Sequence, residues 1–193
     1  SNIEPFLEHP DFEFIEGSIT DYDTCYQAME GIHKVTHQAA LGSVPRSIEN
    51  PMRTNEVNVG GTVNILHAAK EQEVERVILA FSSSTYGDSM ELPKVEDRIG
   101  KPLSPYAVSK AAIEQYADVF HKTYGLHWLG LRYFNVFGPN QNPDNPYAAA
   151  IPIFCKAFIN GETPTINGDG TTSRDFTYID NAVLANELAL FVE

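Results

Sequence analysis

The sequence predicts an α/β protein with a doubly wound parallel sheet, in which helices cover both faces of parallel strands. Short β-branched and aromatic runs alternate with longer segments of helical period along the 193 residues. This alternation fits β-α-β units, whose crossover connections need about a dozen residues or more. The apolar run VILAF at 77–81 is typical of a central strand that is buried on both faces.

The elements of the first part of the chain follow from these two periods. Four runs rich in β-branched and aromatic residues are predicted as strands, namely 12–17, 34–40, 76–84 and 127–138. Three segments with apolar residues at helical spacing are predicted as helices, namely 21–31, 54–72 and 104–125. Together they form a core that we assign to residues 1–138.

The character of the chain changes after residue 138. The segment 138–150 is rich in Pro, Asn and Gly and is predicted to be a long irregular loop. A short helix is predicted at 151–161, a strand-loop-strand at 163–179, and a helix at 180–193 capped by Asp180. We expect residues 139–193 to be a small appendage within the same structural unit.

Composition narrows the classes of partner. A net charge of −13 and a pI of about 4.8 disfavour a nucleic-acid partner. The N-terminal residues have no leader pattern and no segment is long and apolar enough for a membrane span, so we expect a soluble protein. The spacing of the two cysteines matches no metal-binding or redox motif, which favours a reduced, cytoplasmic protein. The spacing of the six histidines matches no set of metal ligands, so we expect no metal site.

One pair of side chains in the third predicted helix could carry chemistry. Tyr106 and Lys110 are four residues apart, and Pro105 places Tyr106 in the first helical turn. A phenol with a pKa of about 10 becomes a better base beside an ammonium group and at the positive end of a helix. The alternative is a core tyrosine beside a solvated lysine.

A run of hydroxyl side chains follows the predicted central strand. The sequence SSSTYG occupies residues 82–87, where parallel sheets place their ligands. The alternative is a turn that simply favours serine. Further along, LRYFNVFGPNQ at 131–141 leads into the loop that follows the fourth predicted strand.

The ordered set SSSTYG, YAVSK and LRYFNVFGPNQ resembles the extended short-chain dehydrogenase/reductase family, especially its nucleotide-sugar 4-epimerases. The resemblance implies a Rossmann-like NAD-binding core in residues 1–138 and part of a nucleotide-sugar binding region in 139–193. It also implies NAD as cofactor, a UDP-sugar substrate, and a homodimer formed by the helices around 56–71 and 105–124. The implied reaction inverts C4 through a 4-keto sugar.

The resemblance also assigns roles to individual residues. It implies the catalytic residues Tyr106, Lys110 and Ser82, where Ser84 would be chosen instead only if a gap were introduced. It implies cofactor contacts by Gln38, Ala39, Ala40, Asn58, Tyr106, Lys110, Tyr133 and Val136. It implies substrate contacts by Gly42, Ser43, Ser83, Ser84, Asn135, Asn167 and Arg174.

The reaction class follows from the residues after the catalytic hydroxyl. Sugar dehydratases of the family have an Asp-Glu pair there, whereas this chain has Ser83 and Ser84, which favours epimerisation over elimination. The residues do not decide between two substrate pairs, namely UDP-glucose with UDP-galactose and UDP-N-acetylglucosamine with UDP-N-acetylgalactosamine. A UDP-glucuronate decarboxylase or another reductase of the family, and a non-catalytic NAD-binding protein or inactive fragment, are the alternatives.

The chain also departs from the family pattern. It begins about fifty residues into that pattern, after the glycine-rich turn that cradles the pyrophosphate, and it stops before the C-terminal substrate segments. We therefore interpret it as an internal fragment with weakened NAD affinity. Ser18 stands where the family usually has an Asp near adenine, which removes one charge from that contact.

Overall fold

A three-stranded parallel sheet organises the chain. A computed structural model describes residues 3–144, 149–166 and 168–192. The strands β1 (Lys34–His37), β2 (Arg76–Ser82) and β3 (Trp128–Tyr133) lie in the order β1-β2-β3. Their register places His37 opposite Leu79 and Ser82 opposite Tyr133. The predicted α/β class with a parallel sheet is confirmed.

The remaining elements of the described residues surround this sheet. The α-helices are α1 (Tyr22–Ala28), α2 (Val44–Glu49), α3 (Pro51–Asn55), α4 (Gly61–Glu71), α5 (Pro105–Tyr124), α6 (Ala150–Ile159) and α7 (Ile179–Phe191). A π-helical segment, Glu56–Gly60, joins α3 to α4, and 3-10 turns occupy Glu4–Phe6 and Ser83–Tyr86. The two-residue strands β4 (Val136–Phe137) and β5 (Thr177–Tyr178) form a separate parallel pair.

The core forms on one face of β2. Val77, Leu79 and Phe81 point to that face and pack with buried apolar residues of α1, α4 and α5. On the opposite face, Arg76 donates a hydrogen bond to the carbonyl of Ala189 on α7 at 3.1 Å. Helices therefore cover both faces of the central strand, which explains why its sequence is almost continuously apolar.

The helix α5 begins and ends where its sequence signals indicate. The Ser104 side chain accepts a hydrogen bond from the Ala107 N–H at 3.1 Å, and Pro105 is the first helical residue. Gly125 follows the helix with a φ of 74°, a left-handed conformation that costs glycine little. These signals fix the position of Tyr106 in the first turn.

Several predicted elements differ from the structure. Residues 12–17 form no strand, because a strand needs a neighbour for its hydrogen bonds and no segment among the described residues pairs with them. The predicted strand 127–138 is interrupted at Asn135, whose φ of 33° breaks the extended conformation. The strand-loop-strand at 163–179 is reduced in the described residues to the short β5.

The helices also differ in part from prediction. Asp180 does not cap the last helix, which begins one residue earlier at Ile179 with Tyr178 in the capping position and no side-chain cap. The single helix predicted at 54–72 is divided by the π-helical segment, and the short helix α2 was not predicted. Within the described ranges, no helix combines the length and apolar character needed to cross a bilayer.

Candidate active site

A cleft of about 940 Å³ opens at the C-terminal ends of the three central strands. This edge is where open parallel sheets place their ligands. The lining includes Gln38, Ala40, Gly42, Ser43, Ala80, Ser82, Ser83, Ser84, Tyr106, Lys110, Tyr133, Asn135, Val136 and Arg174. The structure thus brings together residues that are more than a hundred positions apart in the chain, such as Gln38 and Arg174.

Lys110 lies at the bottom of this cleft, on the same helix as Tyr106. Its ammonium donates a hydrogen bond to the carbonyl of Ala80 on β2 at 2.7 Å, and the residue is only 4% exposed. Burial lowers the pKa of Lys110 from 10.5 to about 8, although the charge of Glu114 acts in the opposite direction. An ammonium carries three N–H donors, so donors remain for a ligand in the cleft.

Three serines line the cleft where β2 ends. Ser82 is the last residue of the strand and is buried, and the 3-10 turn Ser83–Tyr86 follows directly. The Ser82 hydroxyl oxygen accepts hydrogen bonds from the backbone N–H and the hydroxyl of Ser84, at 3.2 and 2.9 Å. Because both bonds are accepted, the Ser82 proton remains available to donate to a substrate oxygen.

The loop after β1 forms another wall of the cleft. Gln38, Ala40, Gly42 and Ser43 line it, whereas Ala39 is not among the lining residues. Ser43 also caps α2, because its side chain accepts a hydrogen bond from the Arg46 N–H at 3.2 Å. The sequence signal for this wall is the small size of its residues, which lets the backbone approach a ligand closely.

Asn58 lies behind that loop rather than in the cleft, and it is 1% exposed. Its amide oxygen accepts a hydrogen bond from the Leu41 N–H at 2.8 Å. Its amide nitrogen donates to the Leu41 carbonyl at 3.2 Å and to the Ser109 hydroxyl at 3.1 Å. The π-helical segment aims this side chain between the loop and α5, so Asn58 fixes the loop in place.

Asn186 on α7 is a residue that the sequence analysis missed. Its amide nitrogen donates to the Tyr133 hydroxyl at 2.6 Å, and its amide oxygen accepts from the Gln38 amide at 3.0 Å. Tyr133 in turn donates to the Gln38 side-chain oxygen at 3.2 Å. This triangle orients two cleft residues. No local motif marks Asn186, because its partners are distant in sequence.

His37 is buried at the end of β1, next to the cleft. It is 6% exposed, and its Nε2 lies 2.9 Å from the Thr62 hydroxyl of α4. Burial and the nearby charge of Lys110 lower the pKa of His37 from 6.5 to about 4. His37 is therefore neutral at physiological pH, and it adds no positive charge beneath the cleft.

The remaining predicted ligand contacts lie on the far side of the cleft. The Asn135 amide donates to the Asp175 carbonyl at 2.7 Å, and Arg174 donates to the Ser173 carbonyl at 2.7 Å. Both Asn135 and Arg174 line the cleft, and Arg174 is exposed. The predicted contact Asn167 lies outside the described residues. Within those residues, no group of three or more His, Cys, Asp or Glu side chains could hold a metal ion.

The chemistry that this arrangement allows is proton transfer at a hydroxyl-bearing carbon. A tyrosine hydroxyl can exchange a proton with a ligand hydroxyl, and a serine hydroxyl can bind the same oxygen. Small or hydroxyl side chains at Gly42, Ser83 and Ser84 leave space for a polar ring.

Residues 2–191 match the family described as the NAD dependent epimerase/dehydratase family. A relative called putative UDP-glucose 4-epimerase, from Methanocaldococcus jannaschii, is 36% identical over 184 residues, which are 94% of this chain and 60% of the relative. The chain thus spans about three fifths of the length of this relative.

Among the solved structures that are similar to the chain, two cover nearly all of its length. One is UDP-N-acetylglucosamine 4-epimerase from Methanobrevibacter ruminantium M1 in complex with UDP-N-acetylmuramic acid, at 41% identity and a TM-score of 0.91, covering 95% of this chain and 59% of that one. The other is UDP-glucuronic acid 4-epimerase from Bacillus cereus with UDP-glucuronic acid and NAD, at 33% identity and a TM-score of 0.90, covering 100% and 60%.

Proposed function

The chain belongs to the NAD dependent epimerase/dehydratase family, and from this premise we propose that it carries the catalytic centre of a UDP-sugar 4-epimerase that uses NAD. The observation that carries the proposal is that Tyr106, Lys110 and Ser82 meet in one cleft of about 940 Å³. We further propose that residues 1–138 form part of the cofactor-binding core. Residues 139–193 would contribute to the side that holds the sugar nucleotide.

The residues of the cleft fit NAD. Lys110 has one N–H bonded to the Ala80 carbonyl, so its other N–H groups can bind ribose hydroxyls. Gln38, Ala40, Tyr133 and Val136 line the same space and would contact the cofactor, and Ala39 lies within that segment. Asn58 would act indirectly, by fixing the loop. When bound, NAD supplies the acceptor and later the donor of a hydride at the sugar C4.

The protein side of the mechanism is proton transfer at the C4 oxygen. Tyr106, as phenolate, would take the proton of the C4 hydroxyl as a 4-keto sugar forms, and would return it after inversion. Lys110 lines the same cleft, with its ammonium bound to the Ala80 carbonyl. The Ser82 hydroxyl would donate a hydrogen bond to the C4 oxygen throughout, since its own acceptor sites are used by Ser84.

Inversion also requires that the keto sugar present its opposite face. Gly42, Ser43, Ser83 and Ser84 give the cleft small side chains, so a sugar ring has space to turn there. Asn135, Arg174 and Asn167 would hold the nucleotide half meanwhile, with the planar guanidinium of Arg174 suited to phosphate. The absence of carboxylates at Ser83 and Ser84 favours epimerisation over elimination.

The proposal is tested by assaying the purified protein with NAD and three substrates: UDP-glucose, UDP-N-acetylglucosamine and UDP-glucuronate. We expect the C4 epimer of at least one of them, detected by chromatography and NMR. Tyr106→Phe should lower kcat by roughly a hundredfold or more while NAD affinity, measured by calorimetric titration, stays within about threefold. Lack of any epimer, or full activity of Tyr106→Phe, would contradict the proposal.

We also propose a homodimer that forms through α4 and α5. Three large side chains on one face of α5 are exposed: Val108 by 55%, Tyr116 by 42% and Val119 by 54%. An exposed apolar stripe of this kind is typical of a protein interface. Sedimentation analysis of Val119→Glu beside the unmodified protein tests it, with a shift to monomer expected. A cytoplasmic location stays a prediction from the sequence.

A further inference from the structure

A partly buried ion pair joins β3 to α5 outside the cleft. The Arg132 Nη2 lies 2.7 Å from the Glu114 Oε2, and the Arg132 Nε donates to the Glu114 Oε1 at 3.0 Å. The side chains are only 17% and 14% exposed. The two parallel bonds form a fork, the most directional and the strongest geometry available to an arginine and a carboxylate.

The same pair also binds the segment that follows the serines. The Thr85 hydroxyl, on a residue 1% exposed, donates to the Glu114 Oε1 at 3.0 Å. The Arg132 Nη1 donates to the Glu96 carbonyl at 2.7 Å, and the Arg132 guanidinium lies 5.1 Å from the centre of the Tyr86 ring. One carboxylate and one guanidinium thus hold a strand, a helix and a turn together.

Each of the three joined elements carries a residue of the cleft. Tyr133 follows Arg132 on β3, and Lys110 lies one helical turn before Glu114 on α5. The serine turn, defined here as residues 82–86, includes Thr85 and carries the cleft residues Ser82, Ser83 and Ser84. Arg132, Glu114 and Thr85 themselves do not line the cleft. Their effect on the reaction would therefore be indirect, through the placement of other groups.

We propose that Arg132, Glu114 and Thr85, here called the clamp, are positioning residues. They hold the serine turn against α5 and so set the position of the Ser82 hydroxyl relative to Tyr106. This inference rests on the proposed function, because it assigns the three residues to the same reaction. The hydrogen bond from the Thr85 hydroxyl joins the serine turn to Glu114. The two hydrogen bonds from Arg132 hold the Glu114 carboxylate in the position in which it accepts that bond.

The physical basis is that two reacting groups on different elements need a fixed separation. A displacement of about 1 Å at a reacting centre can cost about a hundredfold in rate. The position of Ser82 is set by β2 and the serine turn, whereas the position of Tyr106 is set by α5. The Thr85–Glu114 hydrogen bond joins the serine turn directly to α5. The charge of Glu114 also raises the pKa of Lys110, which supports the ammonium form against burial.

The sharpest test removes the Thr85 hydroxyl without changing the shape of the side chain. In Thr85→Val we expect kcat to fall by about tenfold while KM for the UDP-sugar and the Kd for NAD change by less than about twofold. Thr85→Ser keeps the hydroxyl and should restore kcat. Glu114→Gln keeps the shape of the acceptor but removes its charge, and should lower kcat in the same selective manner.

A matched control lies on the same helix. Asp118 is paired with Lys122 on α5 at 2.5 Å, and its side chain is 49% exposed, far more than the 14% of Glu114. Asp118→Asn should keep kcat within about twofold. Thermal unfolding of every variant separates a loss of folded protein from a loss of rate. Thr85→Val with unchanged kcat, or Thr85→Ser as slow as Thr85→Val, would overturn the clamp.

The clamp and the proposed function fail in distinguishable ways. If the unmodified protein epimerises no UDP-sugar, the proposed function fails, and hydrogen exchange then tests the clamp alone. We expect exchange of the Ser84–Gly87 amides to rise by about tenfold in Thr85→Val, with β2 unaffected and with Thr85→Ser unchanged. Equal protection of the serine turn in all three proteins would refute the clamp, whatever the activity.

Discussion

Asn58→Ala is expected to destabilise the protein through the loop after β1. The side chain is 1% exposed and makes three hydrogen bonds, two to the Leu41 backbone and one to Ser109. The substitution removes all three bonds and leaves the N–H and the carbonyl of the partly buried Leu41 without these partners. Because the loop carries Gln38, Ala40 and Ser43, we expect the wall of the cleft to loosen as well.

The magnitude follows from the number of bonds. A hydrogen bond contributes about 1 kcal/mol net, and a buried group left unpaired costs roughly 1–3 kcal/mol. Three bonds therefore give a loss of about 3 kcal/mol in the free energy of unfolding. For a chain of this size, such a loss corresponds to roughly 6–12 °C in Tm.

The assay is urea unfolding monitored by circular dichroism, with Asn64→Ala as the matched control. Asn64 donates one hydrogen bond, to the Ile19 carbonyl at 3.0 Å, so its replacement should cost only about 1 kcal/mol. NAD titration of both variants completes the comparison. If Asn58→Ala keeps its stability within about 1 kcal/mol but loses NAD affinity, Asn58 contacts the cofactor directly and the reasoning is wrong.

Three other predictions concern pH and backbone space. Because folding lowers the pKa of Lys110 from 10.5 to about 8, the folded state binds fewer protons between these values; stability should rise across that window, and urea unfolding of Lys110→Met should lack this slope. Because folding lowers the pKa of His37 from 6.5 to about 4, stability should fall as pH drops through that range, and His37→Gln should lose this dependence in acid titrations. Gly87 has a φ of 54° and a Cβ there would lie 2.0 Å from the Lys101 carbonyl oxygen, so Gly87→Ala should cost about 2 kcal/mol or more in thermal unfolding. Gly60, which has open space around it, should tolerate alanine at no cost.

Local signals predicted the parts of the site that lie within one element. Ser104, Pro105 and Gly125 mark the ends of α5, so the sequence places Tyr106 and Lys110 on one face of its first turns. The serines follow an apolar strand, which puts them at the ligand-binding edge of the sheet. The cleft contains the predicted residues apart from Ala39, Asn58 and Asn167, the last of which lies outside the described residues. Their roles in binding and catalysis stay predictions.

The wrong secondary-structure predictions fall in segments whose conformation depends on hydrogen bonds to other segments of the chain. Residues 12–17 have a strand-like pattern, but a strand forms only against another strand, and pattern alone does not supply one. The break at Asn135 depends on its positive φ and on its hydrogen bond to the Asp175 carbonyl, 40 residues away. The last helix begins at Ile179 because β5 ends there, and an acidic residue in the first turn was mistaken for the cap.

The sequence by itself determined the alternation of strands and helices, the ends of α5, and the Tyr106–Lys110 pair, because each depends on neighbours within a few residues. Only the tertiary structure decided which polar groups support them. Asn58 meets Ser109 across 51 residues, and Asn186 meets Tyr133 across 53. Arg132 meets Glu114 across 18. A hydrogen bond or ion pair between separate elements leaves no periodic trace in the chain, since its geometry exists only after the elements have packed.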